Sequence, residues 1–312
     1  MLVVCFHAFP EAMPGGFIGV DIFFVISGFL ITGIIVRELE QRRFSLLGFY
    51  GRRIRRIFPA LVTVLLAALV LGWLWMLPSA YAQLSSDVFA SAAFFSNIAL
   101  LLQSGYFDAE SGKKPLLHLW SLGIEEQFYL FWPLILMLVA RTRLRFLAVA
   151  AWIGFASFAL NVALIGSDPV ATFYLPFTRA WELLAGAALA CGWRHFDQTN
   201  AASNWRAAIG LLLVAAAAAV LNSKSPFPGW WTILPVAGVA LLLSAPEAWG
   251  LPASAGQRHL CQDRADQLSA LPLALAAIGI SRDHQICSSD PARPRSRGRA
   301  QLCVGVADLS LR

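Results

Sequence analysis

The sequence predicts an all-α, polytopic membrane helical bundle, and three observations carry that prediction. The chain is 58% hydrophobic and only 13% charged, whereas soluble domains average roughly 45–50% apolar and about 25% charged residues. Its mean hydropathy is +0.65. Its apolar residues are gathered into repeated runs, several of which reach the ~20 residues needed to cross a bilayer.

Taken in order, the candidate spans are 17–36, 57–77, 87–103, 124–140, 146–166, 174–193, 207–221 and 231–245, about seven or eight crossings by length. The first residues, "MLVVCFHAFP", lack the basic flank and small-residue cleavage site of a signal peptide. They read as the surviving end of an earlier membrane helix.

Loop charge orients the spans, because cytoplasmic loops carry an excess of Lys and Arg. The densest basic stretch is "RELEQRRFSLLGFYGRRIRR" at 37–56, which is expected to be a cytoplasmic loop. Run 17–36 then enters from outside and 57–77 returns there. Run 87–103 carries Asp87, Ser91, Ser96, Asn97 and Gln103 on it and Ser85 and Ser86 beside it. It is expected to dip in or lie at the surface, which returns the basic "RTRLR" at 141–145 to the cytoplasm. The polar 78–118 region is then extracytoplasmic.

Beyond Trp249 the character changes. Residues 250–312 contain no Phe, Trp or Tyr but do contain "ARPRSRGRA". Membrane proteins use aromatic residues as interfacial anchors, so the two readings are a basic cytoplasmic tail and a shifted reading frame, the second favoured. The expected division is therefore a membrane domain at 1–245, incomplete at its N-terminus, and an atypical tail at 246–312.

The net charge of +6 marks cytoplasmic loops rather than a nucleic-acid partner, and no nucleic acid is expected. The five cysteines show no CxxC pairing, so neither a zinc site nor a disulfide framework is expected.

Polar groups interrupt the apolar background in four places: His7; Asp21, one turn into a membrane helix; His118 with Trp120, Ser121, Glu125, Glu126 and Gln127; and Arg179 with Glu182. An ionisable residue at membrane depth costs at least ~2.5–3.5 kcal/mol on insertion scales, so such residues are usually paired and functional. In this topology His7, Asp21, His118, Glu125 and Arg179 all fall near the extracytoplasmic ends of their segments, at one expected depth. Arg179 and Glu182, three residues apart, share a helix face as a structural or functional pair. Glu125 and Glu126 point about 100° apart, so at most one faces the same partner as His118, and the other is a candidate cap for the helix N-terminus, where negative charge is favourable. Trp120, Phe128, Tyr129 and Trp132 read as an interfacial belt. Ser27 and Gly28 read as small residues permitting close helix packing. Arg52, Arg53, Arg55 and Arg56 read as a topology signal and, functionally, as a clamp for a phosphorylated donor, since guanidinium forks suit phosphate.

Four long, ordered motifs, "FHAFPEAMPGGFIGVDIFFVISGFLIT", "FYGRRIRRIFPA", "LLHLWSLGIEEQFYLFWP" and "FYLPFTRAWELLAG", resemble the acyltransferase-3 family of membrane proteins. Within it they resemble the OafA-like branch, which O-acetylates lipopolysaccharide O-antigen and other surface glycans. The resemblance implies a multi-pass protein of the bacterial inner membrane, with more spans in the intact family than here. It implies transfer of an acyl group, usually acetyl, from an acyl-CoA co-substrate to a surface or lipid-linked glycan. No permanently bound cofactor and no metal are implied. His7 matches the family's catalytic histidine; the arginine that precedes that histidine in the family would lie before Met1. With the altered tail, this leads to the expectation of a truncated gene product.

The mechanism that follows has His7 as general base on the acceptor hydroxyl or as acyl relay, since imidazole titrates near neutral pH. Asp21 or Glu125 orients and charge-balances it. The catalytic candidates are thus His7, Asp21, Glu125 and Glu126. The binding candidates are Arg52, Arg53, Arg55 and Arg56 for the donor, with His118, Trp120, Ser121, Arg179 and Glu182. Two competing classes are a transporter or channel built on the same buried charges, which would call for inverted repeats that the sequence does not display, and an inactive fragment.

Overall fold

The computed structural model describes residues 15–104, 114–142, 144–192, 200–222, 225 and 227–245. His7 and the tail from residue 246 lie outside the described residues. Those described form helices and no strands: α1 (Gly19–Glu40), α2 (Leu46–Trp75), α3 (Pro78–Ala92), α4 (Ser96–Gln103), α5 (Leu119–Ala140), α6 (Phe146–Leu164), α7 (Pro169–Tyr174), α8 (Pro176–Gly192), α9 (Asn200–Val220) and α10 (Ile233–Leu243). Among the described residues five helical stretches are long and apolar enough to span a membrane: 16–40, 46–75, 119–140, 146–164 and 202–220. The multi-pass class follows from these.

Helix α1 is the spine. In its apolar window 67% of residues are buried, against 17% for α2, so α1 is surrounded by protein and α2 presents most of its surface outward. Both are apolar, and only their neighbours differ. The partner of α1 is α8, and the approach is set by two glycines. A Cβ on Gly28 would stand 1.8 Å from the Leu183 carbonyl oxygen, and one on Gly186 would stand 1.9 Å from that of Val25. No side chain larger than hydrogen fits either place without moving a backbone. Such small-residue contacts are how helices associate closely where no hydrophobic force favours protein over lipid. On the far side of α8 lies α6, while α9 and α10 pair with each other and α10 also packs on α1.

Two helix starts illustrate the local chemistry. Ser45 caps α2 by accepting a bond from the Gly48 N–H at 3.3 Å, and Asp168 caps α7 by accepting from the Ala171 N–H at 2.8 Å. Both residue types suit that position. Pro59 sits inside α2, and the Thr63 hydroxyl bonds the Pro59 carbonyl at 2.8 Å.

The 87–103 run does not form one span. It is split into α3 and α4 by Phe94, whose φ of 58° is a conformation bulky residues seldom adopt. The Gln127 amide of α5 holds this corner by donating to the Phe94 carbonyl at 2.8 Å and to Asn97 Oδ1 at 2.9 Å. Likewise the 174–193 run is interrupted at Leu175, which is extended, and restarts at Pro176. Three expectations are corrected here. The basic 37–56 stretch is not a loop throughout, since α2 already begins at Leu46. Glu125 and Glu126 lie in the second turn of α5, whose start carries no side-chain cap, so neither acts as a cap. Trp120, Tyr129 and Trp132 are not an interfacial belt but are buried, with Trp132 Nε1 donating to Thr32 Oγ1 at 2.8 Å.

The glycine contact yields a paired prediction. Gly28→Ala should lower stability by about 1–3 kcal/mol through overpacking. Gly33→Ala, in the same helix with nothing within 4 Å of its would-be Cβ, should be neutral or stabilise by up to about 1 kcal/mol. Thermal unfolding of the two variants in detergent compares them directly.

Candidate functional site

Two buried polar networks hang on α1. The first lies at its start. Asp21 in the first turn of α1 meets Arg179 and Glu182, both in the first two turns of α8, and all three are essentially without solvent exposure. Arg179 Nη2 donates to Asp21 Oδ1 and, at 3.2 Å, to Glu182 Oε2. Arg179 Nε stands 2.9 Å from Glu182 Oε1 as an ion pair. The sequence expectation of an Arg179–Glu182 pair is met, and Asp21 joins it.

Four aromatic rings enclose this guanidinium: Phe24, Trp120, Phe173 and Phe227, with centroids 5.8, 5.6, 5.4 and 5.7 Å from its central carbon. Rings within about 6 Å attract a cation through their negative faces. Trp120 packs edge-on to Phe24, at 6.3 Å between centroids, so it is a wall of this site. The beginning of α8 is held by α6: Ser157 Oγ donates to the Phe177 carbonyl at 2.6 Å and accepts from the Trp181 N–H at 3.0 Å. Asn161 donates to the Thr178 carbonyl at 2.9 Å. A side chain is therefore inserted into the first turn of α8, beside Arg179.

The triad is not closed. Asp21 Oδ2 and Arg179 Nη1 are buried and have no hydrogen-bond partner among the described residues. Two carboxylates against one guanidinium also leave a formal excess of one negative charge when all are ionised, and an uncompensated buried charge is costly. The arrangement is therefore suited to receive a further hydrogen-bond donor, preferably a cationic one, at Asp21.

The second network lies six residues further along α1, about 9 Å along its axis at the helical rise. Glu125 of α5 is 4% exposed, and its Oε1 accepts from both Ser27 Oγ of α1 and the Tyr129 hydroxyl, whose two oxygens also lie against each other. Arg53 of α2 lies over the Tyr129 ring, 3.9 Å from its centroid. It pairs with Glu126 at 2.6 Å and approaches Glu125 at 3.9 Å. Ser27 and Tyr129, absent from the sequence-derived catalytic set, belong to this constellation.

The remaining candidates divide. Arg53 turns inward, so it does not share the surface with its neighbours in the basic run. Arg52 is exposed and pairs with Glu38 at 2.9 Å, and Arg55 and Arg56 are exposed. His118 is exposed at the start of α5, and Ser121 Oγ donates to its carbonyl at 3.2 Å, so neither is in a buried network. Of the five groups expected at one depth, His7 lies outside the described residues and the other four divide. Asp21 and Arg179 meet, Glu125 sits in the second network, and His118 is outside both.

Charge balance in the first network gives opposite expectations for its members. Arg179→Met strands two buried carboxylates and should destabilise by about 3–5 kcal/mol. Asp21→Asn removes the formal excess and should leave stability equal or higher. Chemical or thermal unfolding in detergent reads both signs.

Comparison with known proteins gives a consistent outcome. The family model described as Acyltransferase domain matches residues 1–250. An uncharacterized protein of Haemophilus influenzae is 36% identical over 238 residues, covering 72% of this chain and 96% of that protein. The peptidoglycan O-acetyltransferase OatA of Listeria monocytogenes is 39% identical over 199 residues, 61% of this chain and 32% of its own. The O-acetyltransferase OatA of Staphylococcus aureus is 33% identical, covering 62% of this chain and 33% of its own. The chain thus spans about a third of the length of the O-acetyltransferases it matches and nearly all of the Haemophilus protein. No solved structure matches. On the family match across most of its length, and with the all-helical membrane fold described above, the chain belongs to the acyltransferase-3 family.

Proposed function

We propose that this protein is a membrane O-acyltransferase that takes an acyl group, acetyl in the first instance, from a CoA-type donor on the cytoplasmic side. It delivers that group to a hydroxyl of a surface glycan on the other side of a bacterial inner membrane. The observation that carries this reading is the open triad, in which a buried carboxylate oxygen, Asp21 Oδ2, has no partner among the described residues. It lies in the helix that follows His7. A carboxylate so placed fixes the tautomer of an imidazole and stabilises the imidazolium formed when it accepts a proton. His7 is then the general base on the acceptor hydroxyl, and the formal excess charge of the triad matches the charge it gains.

The donor is assigned to the exposed guanidinium groups of Arg52, Arg55 and Arg56, which suit the phosphates of CoA. For the acceptor, the name of the Listeria relative favours peptidoglycan among the surface glycans, with lipopolysaccharide O-antigen the alternative.

The full chain in proteoliposomes, given labelled acetyl-CoA and either glycan, should acylate one of them. His7→Ala should abolish transfer at unchanged protein level. Absence of transfer to any glycan by the wild type would overturn the proposal. Arg55→Gln with Arg56→Gln should raise the acetyl-CoA concentration at half-maximal rate about 3–10-fold with little change in maximal rate, the signature of lost uniform binding.

A further inference from the structure

The second network has the composition of an activated nucleophile. Resting on the transferase reading above, we propose that Ser27 is an acyl-carrying nucleophile, holding the group as an ester midway between donor and acceptor. A hydroxyl acts in this way when a base lies within hydrogen-bond reach and a third group orients that base. Ser27 Oγ donates to Glu125 Oε1, and the Tyr129 hydroxyl donates to the same oxygen. Arg53, 3.9 Å from Glu125 and stacked on Tyr129, supplies positive charge beside this network, and preorganised charge near a forming oxyanion lowers such barriers.

Position supports the same assignment. Ser27 is 7% exposed, and it lies on α1 beyond the Asp21 triad as the chain runs toward the basic residues of α2. Arg53 belongs to the same run as Arg52, Arg55 and Arg56, yet its guanidinium reaches inward to this network. One arginine run thus leads from the exposed cluster to Glu125, the acceptor of the buried hydroxyl. A group crossing about 30 Å of hydrocarbon gains from an intermediate stop along that path.

The chemistry balances without an oxidant or reductant. In the first half-reaction Glu125 takes the Ser27 proton as Oγ bonds to the thioester carbonyl carbon. The C–S bond breaks, and the CoA sulfur leaves with its electron pair and is protonated by water. In the second, the acceptor hydroxyl attacks the same carbon, and its proton passes by way of water to His7. The ester bond to Ser27 breaks, the electron pair returns to Oγ, and Glu125 restores the stored proton.

The test uses the purified full chain in detergent with radiolabelled acetyl-CoA, first without glycan and then with it. Label should accumulate on the peptide containing Ser27 and be chased off when glycan is added. Ser27→Ala should lose the label and at least about 10³-fold of glycan transfer. Ser27→Cys should carry the label in a form released by neutral hydroxylamine, a thioester signature that a merely structural hydroxyl would not produce. If the wild type acylates glycan while Ser27 stays unlabelled, if label settles on another residue, or if Ser27→Ala keeps transfer within tenfold, the carrier role falls and the transferase reading stands. If the wild type neither labels nor transfers, the transferase reading falls and the carrier role falls with it.

Discussion

The contact on which the rest depends is the meeting of α1 and α8 at Gly28 and Gly186. Because neither residue carries a Cβ, the Leu183 and Val25 carbonyls lie where side-chain atoms would otherwise stand. Gly28 is seven residues from Asp21, within about 20° of it around the helix at 100° per residue. The face that lies against α8 is therefore the face that carries Asp21, and the close approach brings that short carboxylate to Arg179. Ser27 points about 120° away from Asp21 on the same count, toward α5. One helix thus serves two polar networks on two faces. Its neighbours are held at distances that side chains as short as Asp and Ser can bridge.

The electrostatics of the two networks differ in a way that follows from their surroundings. The triad at Asp21 is fully buried and walled by four rings, so its single guanidinium is shared between two carboxylates and the faces of the aromatic cage. In the second network Glu126 and Arg53 keep side-chain exposures of 13% and 12%, and two carboxylates meet a guanidinium whose run continues to the surface. Buried ion pairs of either kind contribute little net stability, because desolvation offsets most of the attraction. Their retention in an apolar bundle is thus better accounted for by what they position than by what they stabilise.

Much of this was legible in the sequence. The membrane class followed from composition, the failure of 87–103 to form one span followed from its polar residues, and the Arg179–Glu182 pair followed from helical spacing. The parts that were not legible depend on the register between helices. Nothing in the run Arg52, Arg53, Arg55, Arg56 distinguishes the member that turns inward, because the choice is made by Glu125, Glu126 and Tyr129 on a helix 73 residues away. Ser27 reads as a packing residue until α5 is placed beside it. Trp120 and Trp132 have the composition of an interfacial belt, yet α1 and α8 bury them, and only the fold decides between the membrane surface and the bundle interior.

The break between α7 and α8 shows how the site's geometry is held. A continuous helix through 169–192 would satisfy its own backbone and leave no reason for α6 to carry polar residues at membrane depth. Instead the chain is extended at Leu175 and restarts at Pro176, and Ser157 Oγ stands between the Phe177 carbonyl and the Trp181 N–H of the new helix. Ser157 and Asn161 of α6 bond the Phe177 and Thr178 carbonyls, the two residues immediately before Arg179. Thr178 Oγ1 in turn donates to the Thr172 carbonyl at 2.7 Å, linking α8 back to α7, whose Phe173 is one wall of the cage. The polar residues of α6 therefore fix the backbone from which Arg179 projects. The guanidinium, enclosed by rings and pulled by two carboxylates, is oriented so that Nη2 meets Asp21. In that orientation Nη1 and Asp21 Oδ2 are left without a hydrogen-bond partner among the described residues.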